Sequence, residues 1–427
     1  MTGQGAPVGP LDGIRVIEWT DEKGTYAGKL LADAGADVVK IESPSGDPTR
    51  LYEPFVGDES NSERSLWFWH YNTNKSGITL DLEQERGREL FRELVASADA
   101  VVESQPPGRM AELGIDYADL SPSNRPLIWV AITPFGREAP RAHEHSTDLT
   151  LLAGGGPAWS CGYDDHSLPP VRGGGNQGYQ TGCHYAVMSL LVALVHRDIS
   201  GTGQFIDVNM HAASNVTTEA GSYEWLVANE TVQRQTGRHA AVNPTQASQV
   251  QCADGVWVNT GLPRRQNQFQ VVYDWLELEG LLEKCESAPI LLAAAQGPPF
   301  QTSQIALDDE VRAKFMAGRD AMTVLADNLN GYDYFTGGQE RGFQLGIIYA
   351  PEDVMEDPHF IERGFVVELD HPELDASYRY PGAPYRFEKT PWRLDQPAPA
   401  LGADNEAVYG ALGHGDELDA LRERGVI

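Results

Sequence analysis

The run Gly173-Gly174-Gly175-Asn176-Gln177-Gly178 has the spacing G-x-G-x-x-G and stands immediately before Tyr179. In a dinucleotide fold such a run follows a first strand and opens a helix, with bare amides turned toward a pyrophosphate. Here it follows Pro169-Pro170-Val171-Arg172, which does not read as a strand, so it is a glycine loop ahead of a helix. The free amides of such a loop can still receive an anion. Lys23, Lys40, Lys75, Arg109, Arg137 and Arg172 fall in or near the expected C-terminal ends of early strands, where open α/β sheets bind ligands. As a set they are candidates for holding phosphates. His143-Glu144-His145 supplies two metal ligands with no third at a recognisable spacing, so no metal is expected. His145, Ser146 and Asp148 do not make a triad, because close neighbours in one segment rarely adopt that geometry and no G-x-S-x-G elbow is present. Asp164-Asp165 reads as a solvent-facing pair in a polar loop.

These residues need a frame, and the chain supplies one early. The stretch 14–19 (IRVIEW) is short and β-branched, 26–34 (YAGKLLADA) has helical periodicity, Gly35 closes that helix, and 37–41 (DVVKI) is apolar again. That is a βαβ unit, and a parallel sheet follows from it. The pattern continues with a helix over 83–98, strands at 100–103 and 126–132, a long helix over 182–197 and a strand at 204–210 after the turn Gly201-Thr202-Gly203. A doubly wound α/β domain is therefore expected. From 217 the texture changes to helices at 218–229 and 266–282, a strand pair at 249–260 and a Gly/Pro-rich stretch at 297–300. Beyond 351 come strands near 365–369 and 380–387, a Pro-rich tract at 391–399 and a last helix over 416–424. No internal repeat or low-complexity segment is present.

Composition bounds the function. The 427 residues are 41% hydrophobic and 22% charged, an ordinary globular make-up with room for two or three domains. Thirty-two basic against 62 acidic residues give a net charge of −30, which makes nucleic acid and anionic membrane poor partners. A polyanionic ligand would need a local basic pocket. Cys161, Cys183, Cys252 and Cys285 are scattered without ligand spacing, and the N-terminus lacks a signal pattern, so a reduced, cytoplasmic protein is expected. The longest apolar stretch, near 186–195, is about half of what a bilayer span needs, so no membrane segment is expected.

Several motifs resemble one family along nearly the whole chain: the class III CoA-transferases, which include formyl-CoA transferase, carnitine CoA-transferase and the α-methylacyl-CoA racemases. They are Leu11-Asp12-Gly13-Ile14-Arg15-Val16-Ile17, the run 30–42 (LLADAGADVVKIE), Gly46-Asp47-Pro48-Thr49-Arg50, Asn72-Thr73-Asn74-Lys75, the run 98–103 (ADAVVE), Gly201-Thr202-Gly203-Gln204 and segments near 384–387 and 422–427. The resemblance implies a Rossmann-like large domain from both ends of the chain, 1–216 and 351–427, around a smaller α+β domain, 217–350. It also implies an interlocked homodimer, with coenzyme A or acyl-CoA as substrate bound between the domains and a carboxylic acid as the other reactant. Lys40, Asn74, Lys75 and Met110 are then expected CoA contacts, beside Lys23 and the amides of Gly174, Gly175 and Gly178.

In this family an aspartate on the glycine loop attacks the thioester and forms a mixed anhydride. Ungapped counting from either side places Tyr179 at that position. A phenol cannot replace a carboxylate nucleophile, because it would give a stable ester. The racemase pair fares no better, since the place of its histidine, before Asp148, holds Thr147. The glycine-rich flap of formyl-CoA transferases has no counterpart, Ser104 replaces the usual asparagine after Glu103, and the acidic Gly-Glu-His-Thr reads Gly402-Ala403-Asp404-Asn405. The leading expectation, by resemblance, is an acyl-CoA enzyme that transfers CoA between carboxylic acids with an atypical site, in which Tyr179 donates a hydrogen bond to an oxyanion and Asp148, or Asp164-Asp165, supplies a base or substitute nucleophile. The alternatives are other acyl-CoA chemistry, by a lyase, a hydratase or dehydratase or an epimerase, and a catalytically silent CoA-binding partner of an active relative.

Overall fold

The computed structural model describes residues 9–218, 221, 223–301, 304–305 and 307–427. Two compact units emerge, one formed by Met1–Cys161, Pro170–Asn229 and Asp357–Ile427, the other by Gly162–Pro169 and Glu230–Glu356.

In the first unit, adjacent apolar residues on each strand point to opposite faces, and both faces are covered. Val16 and Ile17 on β1 (Arg15–Trp19) are each fully buried, one in each of two separate apolar layers. The same holds for Val38 and Val39 on β2 (Asp37–Glu42). Continuous burial of this kind is the mark of a parallel sheet sandwiched between helices. The sheet adds β3 (Ser76–Thr79), β4 (Ala100–Glu103), β5 (Ile128–Thr133) and β6 (Phe205–Asn209), in the spatial order β3-β2-β1-β4-β5-β6. Every neighbouring pair runs parallel. This is the doubly wound order of a Rossmann-type domain, and its direction reverses between β1 and β4.

On one face lie α1 (Thr25–Asp33) and, further along, the long helix Gln177–Ser200, which bury Ala27, Leu31, Ala186 and Leu190 against Val16, Val38 and Val130. Gly35, with φ +96°, ends the first of these, and Gly9 packs so closely that a side chain at 35 would sit 2.9 Å from its Cα. On the other face the helix Glu85–Ala96 buries Leu90, Phe91 and Leu94. The end of the chain returns to this same layer: Tyr409, Leu421 and Ile427 join the core, and Asp81 N donates to Val426 O at 2.7 Å. The hairpin Val366–His371 with Ala376–Pro381 also belongs to this unit. The expected strand over 380–387 is thus displaced toward the N-terminus, because Pro381 and Pro384 remove ladder donors where it would have continued.

The second unit is α+β. A three-stranded antiparallel sheet of Gln249–Gln251, Trp257–Asn259 and Gly346–Ile347 accompanies the helices Gln266–Leu278, Ala288–Gln296, Asp309–Asn328 and Gly331–Glu340. Its core includes Phe269, Met322 and Leu325, with Trp275 stacked on Tyr334 at 5.7 Å. Of the expected helix over 218–229, which lies in the first unit, residues 221 and 223 and the segment Glu224–Ala228 are helical, and 219, 220 and 222 lie outside the described residues. The four cysteines are free. Among the described residues no helix is long and apolar enough to cross a membrane, and no three His, Cys, Asp or Glu side chains gather as a metal-ion cage.

Candidate active site

After Trp19 the chain turns through 20–24 into α1, at the point where the strand order reverses and where doubly wound sheets place their ligands. The neighbouring strand fastens this turn. Ser104, just past β4, receives Asp21 N–H at 2.9 Å and donates its hydroxyl to Asp21 Oδ1 at 2.7 Å, while Gln105 Nε2 donates to Trp19 O at 3.2 Å. The Lys23 ammonium pairs with Asp21 Oδ2.

Directly beneath the turn lies a buried ionic layer. Lys40 Nζ donates to Asp47 Oδ2 at 2.9 Å and to Thr20 O at 3.3 Å. Lys75 Nζ is enclosed by Glu18 Oε1 at 3.0 Å, Thr25 O at 2.9 Å and Asn72 Oδ1 at 2.9 Å. Burial disfavours both ammonium charges. For Lys75 it wins over Glu18 and pulls the pKa down to about 8. For Lys40 the carboxylates of Asp47, Glu18 and Glu42 outweigh burial and raise it. Neither group, expected as a CoA contact, reaches a surface here; both brace the turn. Asn74 is likewise committed, since its Oδ1 accepts Asp395 N at 3.0 Å and Gln396 N at 2.9 Å, and its Nδ2 donates to Asp33 Oδ1 at 2.7 Å. Its φ of +59° suits an asparagine, and it ties the Pro-rich tract to the first unit. Met110 is 1% exposed in the apolar layer beside the Glu85–Ala96 helix.

The glycine loop ends against Asp148. Asp148 Oδ1 accepts the amides of Gly178 at 2.8 Å and Tyr179 at 3.1 Å, capping the Gln177–Ser200 helix from a distant segment. Arg172 Nη1 donates to the other carboxylate oxygen at 3.3 Å and to the carbonyls of Gly173 at 3.1 Å and Gly175 at 2.5 Å. So Asp148 holds the loop in shape, and the Gly178 amide, expected to face an oxyanion, is already bonded. Gly174 and Gly175 are exposed, and their amides have no acceptor among the described residues.

Tyr179 is 5% exposed, packed among Ala27, Leu151, Cys183 and Met210. No described residue hydrogen-bonds its hydroxyl, and that oxygen is not sealed from solvent. Burial, reinforced by the charges of Glu22, Asp21 and Asp148, raises its pKa well above that of an ordinary phenol. One turn further on, Cys183 Sγ contacts Lys23 O at 3.2 Å, so this face of the helix lies on the 20–24 turn. Beside it runs a chain of rings: Tyr52 on Trp67 at 5.3 Å, Trp67 on Tyr71 at 4.4 Å, Tyr71 on Tyr26 at 5.8 Å and Tyr26 on His184 at 5.5 Å. Gln180 Nε2 donates to the Tyr71 hydroxyl at 3.1 Å, and the Tyr52 hydroxyl donates to Glu22 Oε2 at 3.3 Å. Sequence, glycine loop and turn thus converge on a phenol held neutral by burial and by the negative charge of the turn.

The description "CoA-transferase family III" matches residues 11–405. The chain belongs to that family. It is 30% identical to the succinyl-CoA:(R)-benzylsuccinate CoA-transferase subunit BbsE of Thauera aromatica, over 97% of each chain. It is 28% identical to the succinyl-CoA–D-citramalate CoA-transferase of Chloroflexus aurantiacus, over 95% of this chain and 94% of that one. The solved CAIB/BAIF family protein of Brucella suis superposes with a TM-score of 0.76 at 27% identity, covering 95% of this chain and 99% of its own.

As a CoA-transferase family III chain, it carries at its switch point two carboxylates that sequence reasoning passed over, Asp21 and Glu22. Their signal was positional: they follow the first strand directly, on the ligand side of the sheet. The other candidates are engaged with partners of their own or exposed. Asp164 is gripped by Arg238 in the second unit, at 3.2 and 3.1 Å, and Asp165 turns to Ser167. His143, Glu144 and His145 are exposed. Arg109 pairs with Glu83. Arg137 binds both oxygens of Asp116 at 3.2 and 2.8 Å and covers the Phe205 ring at 4.9 Å, beside a cavity of about 500 Å³ that Tyr117 and Asp207 also line.

Proposed function

We propose that this chain acts in the exchange of coenzyme A between succinyl-CoA and a second dicarboxylic acid, with Tyr179 as a neutral hydrogen-bond donor and not as nucleophile. The observation that carries the reading is the Tyr179 phenol itself: a ring 5% exposed at the end of the glycine loop, kept protonated by burial and by the charges of Glu22, Asp21 and Asp148, with no described residue bonded to its hydroxyl. A protonated phenol can stabilise the oxyanion that forms when a thioester carbonyl is attacked. The choice of reactants rests on the two relatives, both named for succinyl-CoA and each for a second dicarboxylate. Arg172, partly exposed at the glycine loop, is a cation suited to a carboxylate that does not react.

The test is product analysis by mass spectrometry with succinyl-CoA and a panel of dicarboxylic acids. Wild type should form the new acyl-CoA, and Tyr179→Phe should lower the rate by on the order of 100-fold, the usual effect of removing one oxyanion donor. An unchanged rate in Tyr179→Phe would remove the phenol from the chemistry.

A second reading is favoured by one word and one surface. The Thauera relative is named as a subunit. Along the Gln177–Ser200 helix, Tyr185, Met188, Val192, Val195 and Ile199 form a stripe that the isolated chain leaves exposed. On this reading the chain binds the thioester while a second chain of the family supplies the carboxylate, and transfer should appear only when both are present. The interlocked homodimer expected from the family would use the same stripe.

A further inference from the structure

Building on the proposed transfer reaction, we infer that Glu22 is the catalytic nucleophile, the carboxylate having moved from the start of the long helix to the turn that faces it. The carboxylates around the switch point can be compared one by one. Asp148 accepts two amides and the Arg172 guanidinium. Asp21 is bound by Lys23 and Ser104. Glu18 is buried with Lys75, and Asp47 with Lys40. Glu42 is clamped by the Arg50 guanidinium at 2.6 and 2.8 Å. Glu22 alone in this set forms no ion pair among the described residues. It keeps a single long hydrogen bond, 3.3 Å from the Tyr52 hydroxyl, and is half-buried and so accessible. It stands three residues past β1, where the Cys183 contact with Lys23 O brings the Tyr179 face of the helix against the turn. The Glu22 charge also opposes ionisation of both Tyr52 and Tyr179, which keeps each phenol a donor.

The chemistry then closes without any further reactant. A Glu22 carboxylate oxygen bonds to the acyl carbon of the thioester, the carbon–sulfur bond breaks, and CoA leaves as the thiolate, giving a mixed anhydride. The thiolate attacks the Glu22 carbonyl carbon and releases the first carboxylate, leaving a glutamyl-CoA thioester. The acceptor carboxylate attacks that thioester and expels the thiolate again. The thiolate takes the acceptor's acyl carbon, which frees the new acyl-CoA and restores Glu22. Tyr179 keeps its proton throughout and donates to the oxyanion of each tetrahedral species.

The experiment uses the full chain, alone and together with a second family chain that has aspartate at the position of Tyr179. Each is incubated with succinyl-CoA, then with hydroxylamine, and the resulting hydroxamate is located by peptide mass spectrometry. A hydroxamate on Glu22, with transfer reduced by on the order of 1000-fold in Glu22→Gln and the circular dichroism of that variant unchanged, is the expected result. A hydroxamate on any other residue of this chain overturns the assignment but leaves the transfer reading intact. A hydroxamate found only on the second chain, or no trapped adduct at all, overturns it as well. Absence of transfer in every combination would overturn the reaction itself.

Discussion

Glu103, the last residue of β4, is 2% exposed, and burial pushes its carboxyl up to about 7 even though the Gln105 amide and Arg137 favour its charge. A carboxyl raised in this way holds its proton in the fold at pH values where the unfolded chain has lost it. Its contribution to stability is therefore complete below about pH 4.5 and is lost as pH rises through about 7. The loss amounts to about 3 kcal/mol. Glutamine keeps the oxygen that accepts Gln105 N at 2.7 Å and discards the ionisation. Glu103→Gln should match wild type near pH 5 and exceed it by about 2–3 kcal/mol near pH 8, measured by denaturant unfolding at both. A constant difference across that range would place the charge elsewhere. None of this was legible in the residue order. The letter E after a β-branched run announces a strand end, but its near-neutral acidity comes from side chains that only the folded sheet brings over it.

At the level of elements, the strands and helices that read clearly were those whose pattern is local. β1, α1 and β2 follow from 14–41, because β-branched runs, a 3.6-residue period and Gly35 all act over short distances. The long helix was expected from 182 yet begins at Gln177, since its first turn is capped by Asp148, about 30 residues away in sequence. No local signal contains that contact. The site was legible in the same proportion: the glycine loop and Tyr179 stood out, whereas the Asp21 and Glu22 turn gained meaning only when β4 delivered Ser104 to it. Gly28 shows an element under a constraint that propensity misjudges. In mid-helix, alanine should be better than glycine by about 1 kcal/mol. Here a Cβ would lie 2.0 Å from Glu18 Oε2, the oxygen 2.8 Å from Lys75 Nζ. Gly28→Ala must disturb a buried ion pair and should cost about 2–4 kcal/mol. Gly410, in the helix Asn405–Ala411 with nothing within 4 Å of its would-be Cβ, is the control. Gly410→Ala should be neutral or gain about 0.5–1 kcal/mol. Thermal unfolding of the two variants side by side checks the argument, and equal effects would refute it.

For the whole molecule the opposing facts are a net charge of −30 and an apolar stripe on the Gln177–Ser200 helix. Val192, Val195 and Ile199 are 64, 62 and 83% exposed in the single chain, with a spacing of three and four residues that repeats along one helix face. A contiguous apolar row of this kind is what a contact surface between chains would present. Two chains of this charge repel at long range, so if they associate, short-range apolar burial must carry it, and salt should strengthen it by screening the repulsion. Sedimentation velocity in about 20 mM and about 500 mM salt should therefore show a shift toward the larger species at the higher concentration. Val195→Asp places a charge in the middle of the row. Because the residue is exposed, the fold should lose less than about 0.5 kcal/mol, while association weakens by at least about 10-fold at either salt concentration. If Val195→Asp assembles as wild type does, the stripe faces solvent and the subunit reading loses its surface.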